Sequence, residues 1–173
     1  VPKNVVHVIT GEGAKTGNAL ASHPLVHKIT FTGSTAVGIK TYQNAANHLA
    51  HISLELGGND AFIVLNDADI DLAVEEMVWG RMYNNGQVCC ASKRFLIQKG
   101  VVETFVNKAK ARLKKLVVGD PSNKATEISC LITEDAAKRV ELQIKNVVAQ
   151  GGKLVVGGKR KGAYIAPTII TDI

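Results

Sequence analysis

Short β-branched runs alternate with helix-forming stretches through the first third of this chain, and glycine marks most of the junctions. Asn4 to Thr10, His27 to Thr32 and Ile52 to Leu56 each have the composition of a short buried strand. Gly11, Gly13 and Gly17 break the first run and lead into an Ala/Leu helix ending near Ser22. Gly33-Ser34 closes the second run ahead of a helix from about Thr35 to Asn47. A strand that turns into a helix and returns as another strand is a βαβ unit, so an α/β fold with parallel pairing is predicted.

Gly57-Gly58 interrupts this pattern, and a domain boundary is placed there, giving units 1–57 and 58–173. In the second unit, Ala61 to Leu65 reads as a strand. Asp67-Ala68-Asp69 caps a helix whose Ile70, Ala73, Val74 and Met77 share one face. Phe95 to Gln98 is a further strand, Val101 to Leu116 an amphipathic basic helix, and Thr133 opens a helix that Gly151-Gly152 ends. Strands are expected at Leu154 to Val156 and Tyr164 to Ile170, with a short glycine and lysine tract between them at Gly157 to Gly162.

A length of 173 residues suits one ordinary domain or parts of two, and 46% apolar with 21% charged residues is a normal globular balance. The formal charge of +6 is spread along helices, as at Lys108, Lys110, Arg112, Lys114 and Lys115, with only 5% aromatic residues. That is the pattern of a solvated helix face, so no nucleic-acid partner is expected. No apolar run approaches the ~20 residues that cross a bilayer, and Val1-Pro2-Lys3-Asn4 lacks the features of a signal peptide, so no membrane partner is expected. The three cysteines, Cys89, Cys90 and Cys130, show neither a disulfide framework nor metal-ligand spacing. Reduced thiols in a cytoplasmic protein are the expectation.

Chemistry-bearing residues fall in four stretches. Gly11-Glu12-Gly13-Ala14-Lys15-Thr16-Gly17 follows a strand and opens a helix, but its spacing is G-x-G-x-x-x-G; a tight turn and a cofactor contact both fit it. Phe31-Thr32-Gly33-Ser34-Thr35-Ala36-Val37-Gly38 places a glycine, two hydroxyls and a second glycine at a helix N-terminus. Free N–H groups there suit a pyrophosphate; a Ser34 or Thr35 N-cap without a ligand fits equally. Glu55 ends a strand directly before Gly57-Gly58, where a carboxylate either faces a ligand crevice or pairs with a cation at the sheet edge; the glycine pair permits close approach by a substrate or cofactor. Cys89 follows the turn-forming run Asn84-Asn85-Gly86-Gln87 and is placed on a loop, whereas Cys90 and Cys130 read as buried structural thiols. A thiol that adds to a carbonyl and a carboxylate that activates water make a complementary pair.

Phe31-Thr32-Gly33-Ser34, Leu54-Glu55-Leu56-Gly57-Gly58 and Gly86-Gln87-Val88-Cys89, in that order and at that spacing, resemble the signature blocks of the aldehyde dehydrogenase superfamily. Asn66-Asp67-Ala68-Asp69, Gly119-Asp120-Pro121 and Ala166-Pro167-Thr168-Ile169 extend the likeness over essentially the whole chain. The wording from Gly57 to Leu65, with Lys93-Arg94-Phe95 after the cysteine, is most similar to bacterial succinate-semialdehyde dehydrogenases. The resemblance implies the end of a Rossmann-type cofactor domain (1–57) followed by part of an α/β catalytic domain (58–173). It implies Cys89 as nucleophile and Glu55 as the base that activates the hydrolytic water. Gly33, Ser34, Thr35, Gly38 and Leu56 then bind NAD or NADP, with Gly13 and Gly17 near its adenosine end.

The implied reaction is NAD(P)-dependent oxidation of an aldehyde, with succinate semialdehyde as substrate, in a homo-oligomer (a dimer or tetramer). Two other readings remain open. One is an acylating enzyme that passes its thioester to coenzyme A, and the other is a non-catalytic remnant that binds without turnover. Family members are close to three times this length, and the upstream asparagine, the ribose-gripping lysine region and a downstream Glu-x-Phe-Gly-Pro block have no counterparts here. An internal fragment, inactive alone, is therefore the expectation.

Overall fold

The structure, a computed structural model, describes residues 1–173. It divides into two compact units, Val1–Gly57 and Gly58–Ile173.

In the first unit a turn of π type over Gly13–Gly17 runs into a single helical turn, α1 (Asn18–Ala21). Then come β1 (Lys28–Thr32), α2 (Thr35–Ala46) and β2 (His51–Glu55). β1 and β2 pair in parallel, from Lys28 opposite His51 to Thr32 opposite Glu55, which makes β1-α2-β2 the expected βαβ unit. Its core is small: Ala21 and Ala45 are the buried apolar side chains, and Gly38 is buried between them in sequence. A Cβ at Gly38 would lie 2.7 Å from Cδ2 of Leu56, the residue after β2, so the Leu56 side chain would have to shift to admit one.

The strand expected over Asn4 to Thr10 does not form. These residues are exposed and pair with nothing, although Val5, Val6, Val8 and Ile9 have strand propensity. Propensity describes fit to a pleated, half-buried surface, and no neighbouring strand here supplies one.

The second unit starts with a second parallel pair, β3 (Asp60–Val64) and β4 (Ser92–Ile97), connected through α3 (Ile70–Met82). α4 (Val102–Leu113) follows β4. Val64 of β3, Val74, Met77 and Val78 of α3, and Phe105, Ala109 and Leu113 of α4 form one buried cluster with Leu116 and Ile128. The apolar stripes predicted on both helices face this cluster, so the period of 3.6 residues specified the packing. Asp69 caps α3, its Oδ1 accepting from the N–H groups of Asp71 (3.0 Å) and Leu72 (3.1 Å). Asp71–Lys108 (2.6 Å) and Glu75–Arg112 (3.0 Å) tie the outer faces of α3 and α4 together.

Beyond α4, Thr133 caps α5 (Glu134–Ala149) by accepting from the Ala136 N–H at 3.1 Å. The remaining strands depart from the parallel expectation. β5 (Lys153–Val156) pairs antiparallel with β8 (Ile169–Thr171), and β6 (Arg160–Lys161) with β7 (Tyr164–Ile165). The glycine and lysine tract therefore holds the first strand of a hairpin, and the single strand expected from Tyr164 to Ile170 is split at Ala166-Pro167-Thr168, where proline lacks the N–H a ladder needs. No helix is long and apolar enough to cross a membrane.

Candidate active site

Cys89 lies between α3 and β4, on a loop built to a specific shape. α3 ends in a 3-10 turn, Tyr83–Gly86, in which Asn84, Asn85 and Gly86 take left-handed φ values of 48°, 55° and 74°. Asparagine tolerates that region better than other residues with a Cβ. Gly86 also has no room for a Cβ, which would fall 2.7 Å from Arg81 Nη1 and 2.9 Å from the Arg81 carbonyl oxygen. Arg81 Nη1 donates to the Gly86 carbonyl at 3.2 Å, and burial pulls the Arg81 guanidinium below its ordinary pKa.

The two amide side chains flanking Gly86 clamp the turn to the segment after Ile128. Asn85 Oδ1 accepts from the Ser129 N–H at 2.8 Å, and its Nδ2 donates to the Cys130 carbonyl at 2.9 Å. Gln87 Oε1 accepts from the Ile132 N–H at 3.0 Å, and Nε2 donates to the Asn84 carbonyl at 3.2 Å. In the sequence Asn85 and Gln87 read as turn formers; a pair of amides straddling a glycine is the signal for this clamp.

The loop then turns through Val88–Ala91, with the Ala91 N–H donating to the Val88 carbonyl at 3.2 Å. Cys89 is exposed. Cys90 is exposed too, which corrects the expectation of a buried structural thiol; adjacent residues in this turn are both left at the surface. Cys130 is half-buried. The N–H groups of Cys89 and Cys90 enter none of the chain's hydrogen bonds.

Two residues press on the Cys89 carbonyl. Lys93 Nζ donates to it at 2.9 Å, and Gly58 approaches so closely that a Cβ would lie 2.6 Å from the same oxygen. The close approach at Gly58 in this structure is to the chain's own cysteine loop, while a Cβ at Gly57 would meet nothing within 4 Å.

In the first unit, Gly33, Ser34 and Thr35 form the turn between β1 and α2, and all three are exposed. Ser34 is the N-cap, its hydroxyl accepting from the Val37 N–H at 3.4 Å. The N–H groups of Thr35 and Ala36 carry no hydrogen bond, so two donors at the positive end of a twelve-residue helix stay available to an anion. Glu55 stands at the same edge of the sheet: it is paired in register with Thr32, and its carbonyl accepts from the Gly33 N–H at 3.0 Å. Its side chain is exposed and belongs to none of the chain's ion pairs. Gly13 and Gly17 bound the exposed π-type turn, and a Cβ at either would meet nothing within 4 Å.

All of residues 1–173 match the model of the aldehyde dehydrogenase family. The chain is 42% identical to the lactaldehyde dehydrogenase of Methanococcus aeolicus, over 98% of this chain and 36% of that protein. It is 40% identical to the NADP(+) succinate-semialdehyde dehydrogenase of Escherichia coli, over 100% of this chain and 36% of that protein. Among solved structures, the succinate-semialdehyde dehydrogenase of Burkholderia pseudomallei superposes with a TM-score of 0.95 at 39% identity, covering 100% of this chain and 36% of that one. The chain thus spans about a third of the length of the relatives it matches.

Proposed function

Since the chain belongs to the aldehyde dehydrogenase family, we propose that it carries the thiol and the base for NAD(P)-dependent oxidation of an aldehyde, with succinate semialdehyde as substrate. The observation that carries this reading is the Cys89 loop: an exposed thiol on a clamped turn, beside backbone N–H groups that no acceptor in the chain uses. In this reading residues 1–57 are the last part of the cofactor domain and 58–173 the first part of the catalytic domain.

The Cys89 thiol gives up its proton to solvent and its sulfur attacks the aldehyde carbon; the carbonyl electron pair moves onto oxygen, where the Cys89 N–H is available to stabilise the charge. NAD(P), when bound, supplies the acceptor for the hydride lost from that carbon. Its phosphates suit the Gly33–Thr35 turn, because the Thr35 and Ala36 N–H groups are unengaged and the helix dipole favours an anion. The carbonyl carbon is left bonded to sulfur as a thioester. Water attacks it, Glu55 takes the water proton, and the carboxylic acid leaves as the thiol is regenerated. A carboxylate free of ion pairs is suited to that proton transfer, and it favours hydrolysis over transfer to coenzyme A. The whole protein acts in the cytoplasm as a homo-oligomer in this reading.

The test is a pair of substitutions in the protein that carries this chain. Cys89→Ser should abolish aldehyde-dependent reduction of NAD(P), and Cys90→Ser should retain most of it. Limited iodoacetamide labelling with peptide mapping should modify Cys89 ahead of Cys90 and Cys130. Turnover surviving in Cys89→Ser refutes the assignment.

A further inference from the structure

We propose that Lys93 is a positioning residue that aims the backbone N–H of Cys89 at the developing oxyanion; the proposal rests on Cys89 being the nucleophile. The first observation is the set of acceptors around the ammonium group. Lys93 Nζ lies 2.9 Å from the carbonyl oxygens of both Cys89 and Ala91, and 3.5 Å from that of Val88. An ammonium group has three N–H donors and no acceptor, so these carbonyls use its whole capacity.

The second observation is the strand register. Asp60 pairs with Ser92 and Ala61 with Arg94, which leaves Lys93 as the unpaired residue of a β-bulge at the start of β4. A bulge re-aims its side chain out of the alternation of the strand. Here the side chain reaches back over the loop it has just left. Arg94 Nε fixes the same place from the other direction by donating to the Asn59 carbonyl at 2.9 Å.

The consequence follows from peptide geometry. In a trans peptide the carbonyl of one residue and the N–H of the next point in opposite directions. The Cys89 carbonyl, 2.9 Å from Lys93 Nζ, turns the Cys90 N–H away from it. The Val88 carbonyl, whose peptide carries the Cys89 N–H, lies 3.5 Å from the same nitrogen and also accepts from the Ala91 N–H at 3.2 Å, and neither N–H is used within the chain. An oxyanion donor must be in place before the charge develops. Lys93 holds it by gripping the other end of the peptide, without touching substrate.

The test uses the protein that carries this chain, with two readouts. One is the pre-steady-state burst of reduced cofactor, which needs the oxyanion donor. The other is alkylation of Cys89 by iodoacetamide, which does not. Lys93→Met should slow the burst about tenfold or more, a fraction of what deleting a donor outright costs. Its Cys89 alkylation should stay within about twofold, since the effect is confined to the oxyanion step. Lys93→Arg, which keeps charge and several donors, should restore most of the burst rate. If Lys93→Met folds poorly, Lys93→Gln, with one amide donor group, takes its place and should show the same split. An unchanged burst, or alkylation falling in step with the burst, overturns the proposal. Cys89→Ser is run alongside: activity surviving there fails the nucleophile assignment itself and takes this proposal with it, a result distinct from failure of the Lys93 arm alone.

Discussion

Gly58→Ala is the substitution whose effect on the cysteine loop can be sized from geometry. The added Cβ would stand 2.6 Å from the Cys89 carbonyl oxygen, 3.6 Å from the Cys89 carbonyl carbon and 3.4 Å from Asp60 Oδ1. Ordinary contact begins near 3.4 Å, so the pair must separate by about 0.8 Å, and the obstructing atom is backbone that cannot rotate aside. Overpacking of this kind costs about 1–3 kcal/mol. At roughly 2–4 °C per kcal/mol for a chain of this size, the melting midpoint should fall by several degrees. The effect on chemistry should be larger than the effect on stability. A shift of that size exceeds the margin between the 2.9 Å Lys93 bond and a broken one. A misplacement near 1 Å costs on the order of a hundredfold in rate. The assay is the burst rate of NAD(P) reduction beside a thermal melt, with Gly57→Ala as the stability control because its Cβ meets nothing within 4 Å. A Gly58→Ala protein with parental burst rate and melting midpoint would refute the packing argument.

Two further outcomes concern the scaffold. Asp69→Ala removes the acceptor for two N–H groups at the start of α3 and should lower stability by about 0.5–2 kcal/mol in chemical denaturation. The Glu127 carboxyl is held below its ordinary pKa, first by the Val117 N–H and then by the Arg112 guanidinium, with burial opposing both. A carboxylate lowered by folding stabilises the fold above its unfolded value and loses that contribution as pH falls through the folded one. Melting midpoints should therefore drop below pH 4.5 or so, and Glu127→Gln should flatten that part of the profile.

Periodicity and capping made most of the scaffold legible. Asp69 and Thr133 cap the helices assigned to them, and the apolar stripe of α3 faces the cluster built on Val64. What escaped depends on pairing between distant segments. Asn4 to Thr10 has strand composition without a partner, and composition alone does not reveal that. The β6–β7 hairpin begins in a tract whose glycines and lysines carry no alternation. At the candidate site, the turn-forming run Asn84-Asn85-Gly86-Gln87 put Cys89 on a loop, where the structure has it. The loop's supports were hidden. Lys93 looks like any surface lysine until the register shift opposite Asp60 and Ala61 is known, and Gly58 serves the Cys89 carbonyl, a contact across 31 positions that local sequence does not show.

The central claim is that Cys89 holds the oxidised substrate and that Glu55 frees it. Its most direct measurement is mass mapping of Glu55→Gln in the protein that carries this chain, after mixing with NAD(P) and succinate semialdehyde. Without the carboxylate, water is poorly activated while the thiol and its oxyanion donors are intact, so hydride transfer should outrun hydrolysis. A burst of reduced cofactor should be followed by slow turnover, and tandem mass spectrometry should find the acyl group on the Cys89 sulfur. An acyl group on Cys90 or Cys130, or a burst and steady state slowed equally with no adduct, would contradict the account.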